Sequence, residues 1–257
     1  MTTPRSIAVT GGTGGIGRIL RDGLSDRFEG RWLSREDADI TDLDALERVF
    51  AGADAVIHLA ASAEIQSPWE SVLSANIVGA YNVFEAARRS GVRRVVFASS
   101  NHAVGMYMHD TERFADPAHP LKVGADAPVR PDSLYGASKA WGEAVGRFYA
   151  ERQGLEVVCL RIGWVVDEPG PPTTTELREE PPDVRPRAAG MWLSHRDLVS
   201  LVEASLTASV RFAIVNGVSD NVGRWLGLEE ARDALGWEPR DGIGREGETA
   251  TGTPPRE

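Results

Sequence analysis

Short apolar runs and longer amphipathic segments alternate along this chain of 257 residues. The apolar runs are rich in β-branched residues, which is typical of strands that are buried on both faces of a parallel sheet. The segments between them carry apolar residues at helical spacing. This alternation predicts an α/β fold with a doubly wound parallel sheet.

The pattern also places the individual elements along the chain. The predicted strands are Ser6–Thr10, Arg31–Ser34, Ala38–Ile40, Ala55–Leu59, Arg94–Ala98, Glu156–Ile162 and Phe212–Asn216. The predicted helices are Ile16–Leu24, Leu43–Ala51, Trp69–Ser90, Ser133–Gln153, Leu198–Ala208 and Leu228–Leu235.

The pattern becomes less regular after Gly163. Residues 167–186 are rich in proline, threonine and glutamate, which predicts a loop. We therefore expect a core at residues 1–163 and a small C-terminal lobe at 164–243 that is interleaved with it. The glycine- and proline-containing segment 244–257 is expected to be a disordered tail.

A glycine-rich turn follows the first predicted strand. Gly11, Gly14 and Gly17 have the spacing G-x-x-G-x-x-G, and a helix is predicted directly after them. Glycines at these positions permit a tight turn and let backbone N–H groups approach a pyrophosphate. The turn, with Gly15 and Ile16, thus predicts a dinucleotide site in a Rossmann fold. The alternative is a structural glycine turn that binds nothing.

Tyr135 and Lys139 are four residues apart on a predicted helix and therefore share one face of it. A free tyrosine has a pKa of about 10, which is too high for a base at neutral pH. A neighbouring ammonium group stabilises the phenolate and lowers that pKa. The pair predicts a general base, although this spacing is a strong signal only downstream of a dinucleotide-binding turn.

Composition narrows the function classes. With 42% hydrophobic residues the chain can bury one sizeable core without a second domain. No run approaches 18 uncharged apolar residues, and a strand is predicted close to the N-terminus, so we expect neither a membrane span nor a signal peptide. A net charge of −10 argues against a nucleic-acid partner. We predict a cytoplasmic protein with no metal site.

Together these motifs resemble the extended short-chain dehydrogenase/reductase superfamily, which is also called the NAD-dependent epimerase/dehydratase family. The resemblance extends from about Ser6 to Asp241. Its narrower motifs are similar to uronate dehydrogenases and to archaeal NAD-dependent glucose-6-phosphate dehydrogenases, which oxidise C1 of an aldose to a lactone. These motifs are Phe97–Gly105, Arg130–Tyr135, Arg161–Gly163 and Trp192–His195.

The resemblance implies roles for residues that spacing alone does not assign. Ser100 is expected to bond the reacting oxygen that Tyr135 deprotonates, and Lys139 to bind the nicotinamide ribose as well. The implied cofactor-binding residues further along the chain are Asp39, Ile40, Leu59, Ala60, Ala61, Asn76, Tyr135, Lys139 and Ile162. For Asn76, a role in tying the backbone together is an equal alternative.

The sugar-binding residues are implied in the same way. Asn101 and His102 match a pair that contacts the sugar in uronate dehydrogenases, although His102 could instead be a packing histidine. Arg187 matches an arginine five positions before a tryptophan, and a guanidinium suits a carboxylate or a phosphate on C6. Trp164 is a departure, because uronate dehydrogenases have serine there. It either stacks on the sugar or narrows the pocket.

The adenosine end departs from the family as well. The relatives end their second strand with an aspartate, which binds the ribose hydroxyls and repels a 2′-phosphate. This chain has Ser34 and Arg35 there, a hydroxyl and a cation that suit a 2′-phosphate. The cofactor is therefore NADP or NAD, with NADP slightly favoured. Arg35 stacking on adenine or facing solvent is the alternative.

The function expected from these features is C1 oxidation of a small anionic aldose, either a hexose 6-phosphate or a hexuronate. The alternatives are a sugar epimerase or dehydratase with tightly bound NAD, and a regulatory protein that senses the cofactor. The short segment after Gly163 favours an unconjugated sugar over a nucleotide sugar. The resemblance also implies a homodimer, with the helices Trp69–Ser90 and Ser133–Gln153 at the interface.

Overall fold

The structure is a computed structural model that describes residues 3–110, 114, 121–178, 181–182 and 184–244. Apart from Gly244, the tail predicted to be disordered lies outside the described residues.

Six parallel strands form the central sheet. They are β1 Ser6–Thr10, β2 Glu29–Leu33, β3 Ala55–His58, β4 Arg94–Ser100, β5 Glu156–Ile162 and β6 Phe212–Gly217. Their order across the sheet is β2-β1-β3-β4-β5-β6. Since β2 lies on one side of β1 and β3 on the other, the connections diverge there and open a crevice at the carboxyl ends of these strands. The predicted doubly wound Rossmann fold is confirmed.

Helices cover both faces of the sheet. They are α1 Gly15–Leu24, α2 Leu43–Phe50, α3 Trp69–Ser71, α4 Ala80–Arg89, α5 Leu134–Arg152, α6 Thr174–Leu177, α7 Arg185–Ala189, α8 His195–Thr207 and α9 Glu229–Leu235. Leu20 of α1 and Leu201 of α8 belong to one apolar cluster. Phe50, Phe84 and Tyr149, from α2, α4 and α5, belong to the other.

The strand predicted near Ala38–Ile40 is wrong. Residues 35–37 form a turn, and no strand follows before α2. The Asp37 carboxylate accepts the backbone N–H of Ser34 at 2.8 Å, and that of Asp39 accepts the N–H of Thr41 at 2.9 Å. These side-chain contacts close turns, because aspartate competes for the main-chain donors that a strand would place in a ladder.

Two other predictions need correction. The predicted helix Trp69–Ser90 is interrupted by a π-helix, Val72–Gly79, between α3 and α4. The predicted loop 167–186 contains α6 and the start of α7. A capping box of Thr173 and Glu176 begins α6, and a proline stands in the first turn of α7. Both are ordinary helix-start signals that a count of prolines obscures.

Candidate cofactor and active site

A cleft of about 900 Å³ lies at the carboxyl ends of the strands. Its walls include the glycine turn, the end of β2, residues 59–63 after β3, the end of β4, and Tyr135 and Lys139 of α5. All the predicted cofactor-binding residues except Asp39 and Asn76 line it. Topology thus collects residues that are far apart along the chain at one crevice.

The glycine turn is built for close approach of the backbone to a ligand. Gly11 has a φ of +69°, and a Cβ atom there would lie 2.8 Å from the nitrogen of Ala60. Gly14 is the N-cap of α1 and makes no side-chain capping bond. The N-terminus of α1 therefore faces the cleft without a capping side chain, and its N–H groups and dipole suit a pyrophosphate. The residues present fit a dinucleotide.

At the adenosine end, Ser34 and Arg35 were predicted to bind a 2′-phosphate. Each of them contacts a carboxylate of the protein instead. The Ser34 hydroxyl donates to Asp37 at 2.8 Å. The guanidinium of Arg35 pairs with Asp39, with 3.2 Å between Nε and Oδ2. Contacts with the backbone and side chain of Ser34 hold the pKa of Asp37 below its usual value, so this carboxylate is charged at neutral pH.

The π-helix forms another wall of the cleft. Ser71, just before it, and Ser74 and Ala75, within it, line the cleft, and none of them was predicted. Gly79 lacks a side chain where Ile40 packs, since a Cβ there would lie 2.6 Å from Ile40 Cδ1. A bulged helix turn exposes residues out of ordinary helical phase, and for this reason periodicity gave no signal for them.

Asn76 of the π-helix makes the contacts expected of a residue that ties the backbone together. Its side chain accepts the N–H of Ser62 at 2.8 Å and donates to the Ser62 carbonyl at 3.0 Å. It also donates to the hydroxyl of Ser138 at 3.0 Å. Asn76 thus ties the loop after β3 to α5 and does not line the cleft. Direct contact with a cofactor remains a prediction.

The predicted catalytic residues Ser100, Tyr135 and Lys139 meet at the end of β4. Ser100 is hydrogen-bonded to the phenol of Tyr135. The Lys139 ammonium donates to the Ala98 carbonyl at 2.7 Å and lies 5.5 Å from the centroid of the Tyr135 ring. Ser133 caps α5 by accepting the N–H of Gly136, which places Tyr135 in the first turn of that helix.

Burial acts on both titrating groups. It raises the pKa of Tyr135, with a further increase from Asp132, and the bond from Ser100 opposes it only in part. Burial also lowers the pKa of Lys139 to about 8. The net pKa of Tyr135 in this structure is therefore raised, and a lowering by Lys139 remains a prediction. The reason for the rise is that desolvation of the phenolate outweighs the stabilising contacts.

A buried ion pair supports this end of β4. The Arg161 guanidinium donates to both Glu143 oxygens, at 2.8 and 2.9 Å. The neighbouring Ser99 hydroxyl also donates to Glu143, at 2.6 Å. Glu143 lies on α5 and Arg161 on β5, so the network links the helix that carries Tyr135 to β5 and to β4, the strand that carries Ser99 and Ser100. Sequence reasoning missed Glu143.

Asn101 and His102 begin the 3₁₀-helix Asn101–His109 after β4. The Asn101 amide lies 3.2 Å from the sulfur of Met191 and accepts from Ser100 at 3.3 Å. His102 stands edge-on to the ring of Tyr135, with 5.7 Å between centroids. His102 is therefore beside the base, whereas the Asn101 side chain is held in the protein. Their contact with a sugar remains a prediction.

Trp164 and Arg187 lie outside the cleft walls. Trp164 pairs with the backbone of Met191 and Leu193, at 2.7 and 2.8 Å. Arg187 is buried, donates to the Met108 carbonyl at 2.7 Å and stacks on Phe114 at 4.7 Å. Arg187 thus joins α7 to the far end of the 3₁₀-helix. Whether it also binds an anion is untested.

Comparison with known proteins identifies the family. Residues 7–176 match the model of the "NAD dependent epimerase/dehydratase family". The chain belongs to this family of enzymes. It is 40% identical to an L-arabinose 1-dehydrogenase (NAD(P)(+)) of Haloferax volcanii, over 91% of this chain and 96% of that one.

Two further relatives are named for different substrates. The chain is 36% identical to an NAD-dependent glucose-6-phosphate dehydrogenase of Haloferax volcanii, over 91% of this chain and 93% of that one. A solved structure of mutated uronate dehydrogenase from Agrobacterium tumefaciens, complexed with NAD, matches with a TM-score of 0.76. It is 31% identical and covers 98% of this chain and 91% of that one.

Two features are absent from the described residues. None of the helices in the described ranges is long and apolar enough to cross a bilayer. Among the same residues, no group of three or more His, Cys, Asp or Glu side chains is arranged to hold a metal ion.

Proposed function

We propose that this protein is an NAD(P)-dependent dehydrogenase that oxidises C1 of a small, unconjugated aldose to a lactone. The observation that carries the proposal is the meeting of Ser100, Tyr135 and Lys139 at the inner end of a cleft whose outer end is a dinucleotide-type glycine turn. The family membership and the dehydrogenase relatives support the same reaction.

The chain's own residues supply the proton chemistry and the positioning. Tyr135 takes the proton of the C1 hydroxyl, and Ser100 bonds the same oxygen, which holds the reacting carbon in one place. Lys139 keeps a positive charge near the phenol, since its pKa of about 8 leaves it largely protonated at neutral pH. When bound, NAD(P) supplies the hydride acceptor.

The glycine turn and the loop after β3 hold the cofactor in this proposal. The relevant residues are those that line the cleft from Gly11 to Ala61. For the 2′-position we propose that both NADP and NAD are used. Arg35 attracts a 2′-phosphate, because an exposed ion pair such as Arg35–Asp39 is weak enough to exchange partners. The charged Asp37 limits that preference.

For the sugar we retain an anionic aldose, a hexose 6-phosphate or a hexuronate, with Arg187 as the anion-binding group. The relative named for glucose 6-phosphate supports it, whereas the relative named for L-arabinose, a neutral pentose, favours a smaller substrate. Trp164 beside the backbone of Met191 is compatible with either. A substrate panel separates them.

The experiment is a cofactor-reduction assay with glucose 6-phosphate, glucuronate and L-arabinose, each with NAD and NADP. We expect released reduced cofactor with at least one aldose. In Tyr135→Phe the ring packing is kept and only the hydroxyl is lost, so the rate should fall by about 10²-fold or more, with cofactor affinity almost unchanged.

Two results would contradict the proposal. Near-normal turnover in Tyr135→Phe would place the chemistry elsewhere. Retained NAD with conversion of a sugar and no net reduction would identify the epimerase alternative. Glu64→Gln is a suitable control variant, because Glu64 is exposed and does not line the cleft.

A further inference from the structure

A carboxylate beside the catalytic tyrosine has no role in the mechanism above. Asp132 Oδ2 lies 2.8 Å from Nδ1 of His102. Its other oxygen accepts a hydrogen bond from the Ser133 hydroxyl at 2.9 Å. The side chain of Asp132 is only 12% exposed, and that of His102 is 22% exposed. Both oxygens of this carboxylate are therefore engaged in a largely buried place.

Two glycines make room for this contact. A Cβ atom on Gly105 would lie 1.8 Å from Asp132 Oδ2, which is an impossible approach. A Cβ on Gly136 would lie 2.2 Å from the His102 carbonyl oxygen. The 3₁₀-helix that carries His102 can thus dock closely on the start of α5, with Asp132 enclosed between them.

The contact determines which ring nitrogen of His102 carries the proton. Burial raises the pKa of Asp132, but its bonds with His102 and Ser133 outweigh burial and hold the pKa below its usual value. An ionised carboxylate only accepts hydrogen bonds, so Nδ1 of His102 must donate. In the neutral imidazole, Nε2 is then an acceptor.

The His102 ring lies beside two residues of the proposed catalytic site. The His102 ring stands edge-on to Tyr135, and the backbone N–H of His102 donates to Ser100 Oγ at 3.2 Å. Within the described ranges of the chain, His102 Nε2 has no hydrogen-bond partner in the protein. In the proposed reaction Tyr135 and Ser100 bind the oxygen on the reacting carbon, so the hydroxyl group on the neighbouring carbon of the same sugar would be a donor for Nε2.

We propose that Asp132 is a positioning residue that holds His102 in the Nδ1–H tautomer, so that Nε2 accepts a hydrogen bond from the sugar hydroxyl next to the reacting carbon. This inference rests on the proposed function, which makes C1 the reacting carbon and the C2 hydroxyl the donor. A site built to bond a hydroxyl discriminates against the analogue that lacks it. The enzyme should therefore disfavour 2-deoxy aldoses.

The test uses Asp132→Asn, which keeps the shape of the side chain. An amide that donates to Nδ1 stabilises the opposite tautomer and turns Nε2 into a donor. The probe pairs are glucose 6-phosphate with its 2-deoxy form, and L-arabinose with its 2-deoxy form. We expect kcat/KM to fall about 10- to 100-fold on the hydroxylated sugar, the scale of one buried hydrogen bond, and by much less on the 2-deoxy sugar.

A second measurement does not depend on turnover. Nitrogen-15 NMR of the imidazoles, with His102→Gln to assign the signal, reports the tautomer directly. The parent should show Nδ1–H, and Asp132→Asn should show Nε2–H. Asp110→Asn is the matched control, because Asp110 is another aspartate near this helix that pairs with Arg130, and it should leave the tautomer and the sugar preference unchanged.

The outcomes separate the two proposals. If no aldose is oxidised, the proposed function fails, and the NMR spectrum still decides on Asp132. An Nε2–H tautomer in the parent, or equal losses on both sugars of a pair, would overturn the role of Asp132. Should Asp132→Asn not fold, the parent spectrum still tests the tautomer, and equal losses of His102→Gln on both sugars of a pair would overturn the sugar contact of His102.

Discussion

Burial acts on Tyr135 and Lys139 in opposite directions but towards the same result, the neutral form of each group. The phenol pKa rises and the ammonium pKa falls to about 8. A low-dielectric site opposes charge on either side chain, while it strengthens any charge interaction formed within it. At the residue scale, burial therefore favours the neutral phenol of Tyr135 and weakens proton binding by Lys139.

The anion-binding role proposed for Arg187 leads to a prediction about substrate preference. Arg187→Met keeps much of the apolar stem on Phe114 and deletes the guanidinium. If Arg187 binds a C6 carboxylate or phosphate, kcat/KM on that sugar should fall by an amount equivalent to roughly 2–4 kcal/mol of transition-state stabilisation. The loss on a neutral aldose should be much smaller. Steady-state kinetics on both sugars measures the difference.

Equal losses on charged and neutral sugars would give Arg187 a structural role. Its bond to the Met108 carbonyl offers that role directly. A thermal melt of Arg187→Met separates the two, because a purely structural residue lowers Tm together with both activities.

A second prediction at this scale concerns the 2′-position of the cofactor. Arg35→Ala should weaken NADP by roughly tenfold and leave NAD almost untouched, because only NADP has a phosphate there. Asp37→Asn should raise the preference for NADP over NAD by removing a charge that repels the phosphate. Ser34→Asp should lower that preference. The KM for NAD divided by the KM for NADP measures this preference in each variant. Unchanged ratios in all three variants would refute the assignment.

At the scale of elements, β3 carries a buried histidine. His58 is 2% exposed and accepts from or donates to the Thr10 hydroxyl at 2.8 Å. Burial, with a smaller contribution from the charge of Lys139, lowers the pKa of His58 to about 3. The fold therefore contains the neutral ring over most of the pH range, whereas the unfolded chain protonates it below about pH 6.5.

Acid should for this reason destabilise the protein through His58. Between pH 6.5 and about 3 the unfolded state binds one more proton here than the folded state, so stability falls as the pH falls. The loss is about 1.4 kcal/mol per pH unit. Urea unfolding at pH 7 and pH 4.5 should show a smaller decrease in His58→Asn than in the parent. Equal decreases would mean that His58 is protonated in the fold.

At the scale of the whole molecule, two neighbouring helices expose apolar side chains. Tyr81 of α4 is 46% exposed, and Phe148 of α5 is 50% exposed. The helices pack together through the stacked rings of Phe84 and Tyr149, 5.5 Å apart. Large exposed apolar groups on neighbouring helices are typical of a protein–protein interface. This supports the predicted homodimer without showing it.

Sedimentation velocity tests the dimer. The parent should sediment as a dimer, and the double variant Tyr81→Glu, Phe148→Glu as a monomer, because two charges per subunit would be buried without partners. Val222→Glu is the matched control, since Val222 is equally exposed outside these helices. A monomeric parent would refute the predicted dimer, and a dimeric double variant would place the subunit contact elsewhere.

The sequence by itself determined the parts that depend on neighbours along the chain. Strand and helix periods, the glycine turn and the spacing of Tyr135 and Lys139 are local, so pattern and composition predict them. The parallel sheet follows from their alternation. The errors near Ala38 and at the π-helix are local too, and arise where aspartates or a bulge replace the regular ladder of hydrogen bonds.

Only the tertiary structure decided the contacts between distant residues. His102 and Asp132 are 30 positions apart, and Asn76 and Ser138 are 62 apart. The position of a residue in the sequence does not show which ring nitrogen of His102 is hydrogen-bonded. Nor does it show that the amide of Asn76 is hydrogen-bonded within the protein. Desolvation is likewise a property of the packed site, which is why the tyrosine–lysine pair could be predicted from the sequence, whereas the net rise of the Tyr135 pKa could not.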